Sequence, residues 1–165
     1  VLDAVKAHER DPTFIRQRKF AAGHKLVALL PGSRKQEVLR MVPVMREVVM
    51  RLPEIQFGLA TVNNLDKALY SALANCANVR VVEEDTYNLL LNADAAVVTS
   101  GTATLETALF KVPQVVVYKA AGLSYWLAKM VIKVDFISLV NLIAGKLVVK
   151  ELIQGAEEVP SLLAN

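Results

Sequence analysis

Short apolar runs alternate along the chain with longer stretches whose apolar positions recur every three or four residues. The runs are Leu26–Leu30, Ile55–Ala60, Val79–Val82, Ala95–Thr99 and Gln114–Tyr118. They are short and several are rich in valine, which suits strands buried on both faces. Between the first two, Glu37–Leu52 sets Val38, Val42, Met45, Val49 and Leu52 on one helical face. Leu65–Asn75, Tyr87–Asn92, Thr102–Phe110 and Leu123–Lys133 also read as helices. Pro43, inside the first helix, predicts a kink or a late start. Strands and helices alternating with short connections predict an α/β fold: a Rossmann-like three-layer domain, its mostly parallel sheet flanked by helices. Residues 1–24 are polar, carry Pro12 and Gly23, and read as a linker or edge helix feeding a domain over 25–165. No internal repeat or low-complexity segment interrupts the pattern.

Composition narrows the function. With 165 residues, 54% of them hydrophobic, the chain can bury one sizeable core. The net charge of +3, from 19 basic and 16 acidic residues, is too mild for a nucleic-acid binder. Cys76 is the single cysteine, which excludes a disulfide framework or a thiolate metal cluster and points to a reducing compartment. No apolar run reaches the roughly 18 residues of a spanning helix. The start, "VLDAVKAHERDPTF", has neither signal-peptide shape nor initiator Met, and the end, "SLLAN", is as abrupt. The expectation is a piece of a longer protein.

Two turns carry candidate chemistry. In such a sheet, ligands sit beyond the carboxyl ends of the strands, beside helix N-termini. In "VALLPGSRKQEV", Gly32 lets the backbone turn and approach a ligand closely. Ser33 is placed to cap the next helix or to donate to a phosphate oxygen. Free helix N–H groups favour an anion, and Arg34 adds a permanent charge with phosphate-matching geometry. An ordinary capped turn with a solvated Arg34 fits the same residues. In "VVTSGTATLETAL", Ser100, Gly101 and Thr102 form a second small turn between strand and helix. Glu106, about one turn into that helix, suits the vicinal hydroxyls of a ribose. A hydroxyl N-cap with an acid favoured by the helix dipole is the alternative. Two such turns together favour a nucleotide site over either alternative alone.

"LPGSRKQE", "VTSGTATLE", "VVVYK" and "ISLVNLIAG…VVKELIQ", in this order and spacing, resemble lipid-A-disaccharide synthase. The resemblance covers about Leu26 to Gln154. It implies the C-terminal, donor-binding half of a glycosyltransferase built from two Rossmann-like domains (GT-B), with the N-terminal half outside this chain. The implied reaction is an inverting transfer. A 2,3-diacylglucosamine unit passes from its UDP derivative to 2,3-diacylglucosamine 1-phosphate, giving lipid A disaccharide phosphate and UDP. The base and acceptor site would lie in the other half, and this half would stabilise the leaving group. No Asp-x-Asp pair occurs, so neither a metal ion nor another cofactor is expected, and loop amides with Arg34 would take that place. The implied setting is the cytoplasmic face of a Gram-negative inner membrane, with a homodimer possible for the intact enzyme. Another UDP-sugar enzyme, such as a UDP-GlcNAc 2-epimerase, and a nucleotide-binding module without catalysis are the alternatives.

The resemblance carries roles onto particular residues. Gly32, Ser33 and Arg34 would lie near the diphosphate, with Ser100, Gly101, Thr102 and the ribose-binding Glu106 in the second loop. Tyr118 and Lys119 match a strand end where Lys119 would reach phosphate. Asn141 would neighbour the donor, and Glu151 and Gln154 the donor or the interdomain edge. Val140 and Lys150 stand where family members usually have Pro, which leaves these two loops less stiff. The remaining chemistry-bearing residues read plainly. His8 and His24 are surface residues, Cys76 is structural, and Glu83-Glu84-Asp85 is a helix-start cluster bordering the cleft. "GLSYWLAKMVIK" lines up Leu123, Trp126, Leu127, Met130 and Val131, which suits a packed helix or one lying on a bilayer.

Overall fold

The apolar runs become neighbouring strands of one sheet. The computed structural model describes residues 11–118, 146, 148 and 150–153. Among them the strands are β1 (Leu26–Leu30), β2 (Gln56–Thr61), β3 (Val79–Glu83), β4 (Ala95–Thr99), β5 (Gln114–Tyr118) and β6 (Lys150–Ile153). They lie in the order β3-β2-β1-β4-β5-β6, and every pairing is parallel. This is the doubly wound Rossmann order. The helices are α1 (Phe14–Gln17), α2 (Lys35–Arg51), a 3-10 turn (Lys67–Tyr70) running into α3 (Ser71–Ala74), α4 (Thr86–Asn92) and α5 (Thr102–Leu109).

Every residue of β1 is buried, because the strand pleat feeds both faces of a covered sheet. Val27 and Leu29 face one layer, where they meet Val38, Met41, Met45 and Val48 of α2, together with Tyr70 and Leu73. Leu26, Ala28 and Leu30 face the other, against Phe14, Phe20, Leu89 and Leu90. Burying each such aliphatic side chain contributes about 1.5–3 kcal/mol relative to exposure. β2 takes part through a missing side chain: a Cβ on Gly58 would overlap Leu89 and crowd Phe20, so glycine lets Leu89 of α4 seat directly on the strand.

Two expectations change. α2 starts at Lys35, earlier than the sequence suggested, and runs through Pro43. Pro43 cannot bond the carbonyl of Leu39, but both residues are exposed, so the lost bond falls on the solvent side of the helix. The stretch Leu65–Asn75 does not form one helix. Asp66 Oδ1 accepts from the Ala68 amide at 2.9 Å, and the Ser71 hydroxyl donates to the Ala68 carbonyl at 2.8 Å. These local bonds compete with α-helical pairing, and the segment splits into a 3-10 turn and one helical turn.

Residues 11–24 are tied to the domain. Phe14 and Phe20 stack at 5.9 Å between centroids. The Gln56 side chain accepts from the Ala21 amide at 2.8 Å and donates to its carbonyl at 2.9 Å.

Candidate nucleotide cleft

β1 leads into α2 on one face of the sheet, and β4, its neighbour, leads into α5 on the other. The strand order reverses here, so the two connections part and leave a crevice at the carboxyl edge. A cleft of about 460 Å³ opens there, lined by Pro31–Arg34, Glu37, Tyr87, Ser100–Ala103 and Glu106 among others. Its floor includes Thr99, whose buried hydroxyl has no hydrogen-bond partner among the described residues.

The first turn is closed by Glu37. Gly32 sits at φ +107°, a region costly for any residue with a Cβ. Glu37 folds back so that its Oε2 accepts from the amides of Ser33 at 3.2 Å and Arg34 at 3.3 Å. A Cβ on Gly32 would come within 2.6 Å of that oxygen. Arg34 is the N-cap of α2 and reaches Glu37 Oε1 only at 3.5 Å, with 83% of its side chain exposed. An ion pair this open contributes little to stability, so Arg34 keeps its donors available to a ligand.

The second turn is open. Gly101 is the N-cap of α5 in extended backbone, and being glycine it brings no side chain to cap the helix. The space beside Gly101 is empty. Glu106 turns instead toward α4, where the Tyr87 hydroxyl donates to its Oε1 at 3.1 Å. The Tyr87 ring rests on Phe110 with centroids 5.1 Å apart. Burial raises the Tyr87 pKa above its ordinary value, and the Glu106 charge and hydrogen bond raise it further. The hydroxyl therefore stays protonated, as a donor must. A second, shallower cleft of about 520 Å³ adjoins the first and shares Val62, Thr86 and Tyr87 with it.

A family model described as lipid-A-disaccharide synthetase matches residues 1–164. The chain belongs to the lipid-A-disaccharide synthetase family. A lipid-A-disaccharide synthase of Syntrophus aciditrophicus (strain SB) is 46% identical over 163 residues, covering 94% of this chain and 43% of the relative. One from Nitrosococcus oceani is 45% identical over 137 residues, covering 79% of this chain and 35% of the relative. The chain thus spans less than half the length of these relatives. Solved structures share its architecture. The UDP-GlcNAc 2-epimerase of Methanocaldococcus jannaschii superposes with a TM-score of 0.58 at 14% identity, over 99% of this chain and 43% of that one. The E. coli ADP-heptose lipopolysaccharide heptosyltransferase II gives 0.51 at 12% identity, over 91% and 48%. At such identities the likeness concerns the fold alone.

Within this synthetase-family chain, seven of the expected site residues meet at the cleft: Gly32, Ser33, Arg34, Ser100, Gly101, Thr102 and Glu106. Tyr118 ends β5 and Glu151 lies in the adjoining β6, paired with Val116. Lys119, Asn141 and Gln154 lie outside the described residues, as does the stretch Leu123–Lys133 with Trp126. No helix among the described residues is long and apolar enough to cross a membrane. The acidic run is not one helix-start cluster. Glu83 belongs to β3 and pairs with Lys67, Glu84 takes φ +51°, and only Asp85 stands at the start of α4. There Asp85 accepts from Asn88 at 2.8 Å and Arg18 at 3.2 Å. Sequence reasoning passed over Glu37 and Tyr87. Glu37 had a readable signal, since an acid three residues after an N-cap is the capping-box spacing. Tyr87 had none, because its partner lies 19 residues away on another helix.

Proposed function

We propose that this chain is the donor-binding domain of an inverting glycosyltransferase of lipid A biosynthesis. The observation that carries the reading is the convergence of Arg34, the glycine N-cap of α5 and Glu106 on one cleft at the sheet's switch point. The cleft would take the UDP moiety of UDP-2,3-diacylglucosamine. Glu106 would accept from the ribose hydroxyls, while Arg34 and the amides of the second turn would hold the diphosphate. The acceptor, 2,3-diacylglucosamine 1-phosphate, would attack the anomeric carbon through its 6-hydroxyl. That carbon's bond to the phosphate oxygen breaks, UDP departs with the electron pair, and the configuration inverts. The acceptor proton would go to a base outside this chain. Arg34 and the α5 N-terminus would stabilise the charge growing on the departing diphosphate, where preorganised donors act most strongly.

The same reading gives Tyr118, Lys119, Asn141, Glu151 and Gln154 to the donor side. It puts the intact enzyme on the inner-membrane surface, where its acylated substrates reside, as a monomer or a homodimer. It also leaves the chain alone without transferase activity, since the acceptor side and base would be elsewhere. Family membership at 46% identity favours this enzyme over an epimerase on the same architecture.

UDP titration by calorimetry, on the chain and on its Arg34→Ala variant, tests the reading. The variant is expected to lose about 1.5–3 kcal/mol of UDP binding, as for a lost charge-assisted hydrogen bond. Unchanged affinity would return Arg34 to the solvent, and no UDP binding by a folded wild-type chain would remove the nucleotide assignment.

A further inference from the structure

Tyr87 belongs to neither of the turns that define the cleft, yet it contacts the one carboxylate on which ribose recognition would depend. Its hydroxyl donates to Glu106 Oε1 at 3.1 Å. The two side chains come from different helices, so the bond fixes Glu106 relative to a second wall of the cleft. Without it, a half-buried glutamate at the cleft wall would be free to take other rotamers, and ordering it on ligand binding carries an entropic cost. Phe110, four residues beyond Glu106, supports the Tyr87 ring from below at 5.1 Å. The carboxylate is thus held by a hydroxyl, and the hydroxyl by a ring contact rooted in the same helix as the carboxylate.

We propose that Tyr87 is a positioning residue for nucleoside recognition, holding Glu106 so that its free carboxylate lone pairs meet a cis-diol. The inference rests on the nucleotide reading of the cleft and adds a selectivity to it. The site would prefer a nucleoside diphosphate with intact 2′- and 3′-hydroxyls, and Tyr87 would set the size of that preference without touching the ligand. Oε1 keeps room for a second donor beside Tyr87 and Oε2 is left for the other hydroxyl, since an ionised carboxylate accepts at about four positions. The raised Tyr87 pKa keeps the donor protonated throughout the neutral range.

Binding of UDP and of 2′,3′-dideoxy-UDP would be measured by calorimetry on the wild-type chain, Tyr87→Phe, Glu106→Gln and the double variant, each checked for an intact thermal transition. Tyr87→Phe keeps the ring on Phe110 and removes only the hydroxyl. The wild type is expected to prefer UDP by at least about tenfold, since the analogue loses both hydroxyls and one charge-assisted hydrogen bond alone is worth that much. Tyr87→Phe should cut that preference to about threefold through weaker UDP binding, leaving the dideoxy analogue unchanged. In the Glu106→Gln background, the same change should add nothing, because the group it positions is already lost. Equal weakening of both ligands would make Tyr87 a packing residue and overturn the proposal. A preference that needs Glu106 but survives in Tyr87→Phe would overturn the proposal and leave the nucleotide reading standing. A wild type that binds neither ligand, or shows no preference that Glu106→Gln alters, would take down both.

Discussion

In the turn after β1, the carboxylate one turn into the helix folds back on its own N-terminus. In the turn after β4, the corresponding carboxylate leans across to another helix. Glu37 lies three residues after its N-cap Arg34 and reaches the amides of Ser33 and Arg34. Glu106 lies five residues after its N-cap Gly101, out of reach of the helix end, and Tyr87 engages it instead. Two residues of spacing decide whether an acid serves the helix or the cleft. The lesson concerns anion binding: a glycine turn at a helix start is not by itself a vacant phosphate cradle. The first turn already holds a negative charge of its own, worth about 0.3–1 kcal/mol to α2, and offers a ligand mainly the Arg34 side chain. In the second, Glu106 leans away from the helix start and the N-cap glycine brings no side chain of its own.

The glycines should separate the two turns most sharply. Gly32→Ala must adopt φ +107° and pushes against Glu37, so folding stability should fall by about 2–3 kcal/mol. Gly101→Ala has open space and should change stability by less than about 0.5 kcal/mol. Denaturant titrations giving equal losses would erase the contrast. Next in size is Glu37→Gln. The amide oxygen can still accept from the turn, but the negative charge beside Arg34, where the proposed diphosphate would lie, is gone. UDP should bind about threefold tighter, an effect of one screened like charge, while uridine binding stays the same. Weaker UDP binding would mean that Glu37 shapes the phosphate site rather than competes with it. The smallest effect is at high pH. The folded Tyr87 pKa lies above 10.0, so its contribution is fully present below that value and is lost as pH rises through the folded one. The stability difference between wild type and Tyr87→Phe should hold steady to about pH 10 and shrink above it. A difference that grows with pH would contradict the assigned donor.

The sheet was legible because its inner strands are buried on both faces, which leaves unbroken apolar runs such as Leu26–Leu30 and Ala95–Thr99. Of the two edge strands among the described residues, β3 still shows as Val79–Val82, whereas β6 carries Lys150 and Glu151 and left no such trace. The helix expected over Leu65–Asn75 failed because apolar periodicity is blind to Asp66 and Ser71, whose side chains bind nearby backbone. At the cleft, the turns were legible because glycine between strand and helix has few uses. The partners of their acids were not, since a hydroxyl on α4 meeting a carboxylate on α5 depends on how two helices dock. No local pattern encodes that.

Gly58 governs that docking. Leu89 and Phe20 press into the space where any other residue would carry a methyl group, and Leu89 is two residues from Tyr87. The fit of Leu89 against β2 therefore depends on a missing methyl group at 58. The three positions share one space: a Gly58→Ala change is expected to move the tip of Leu89 or to call for less bulk at 89 or 20. Where neither gives way, α4 would ride outward and carry the Tyr87 hydroxyl away from Glu106, without any change among the residues that face the cleft.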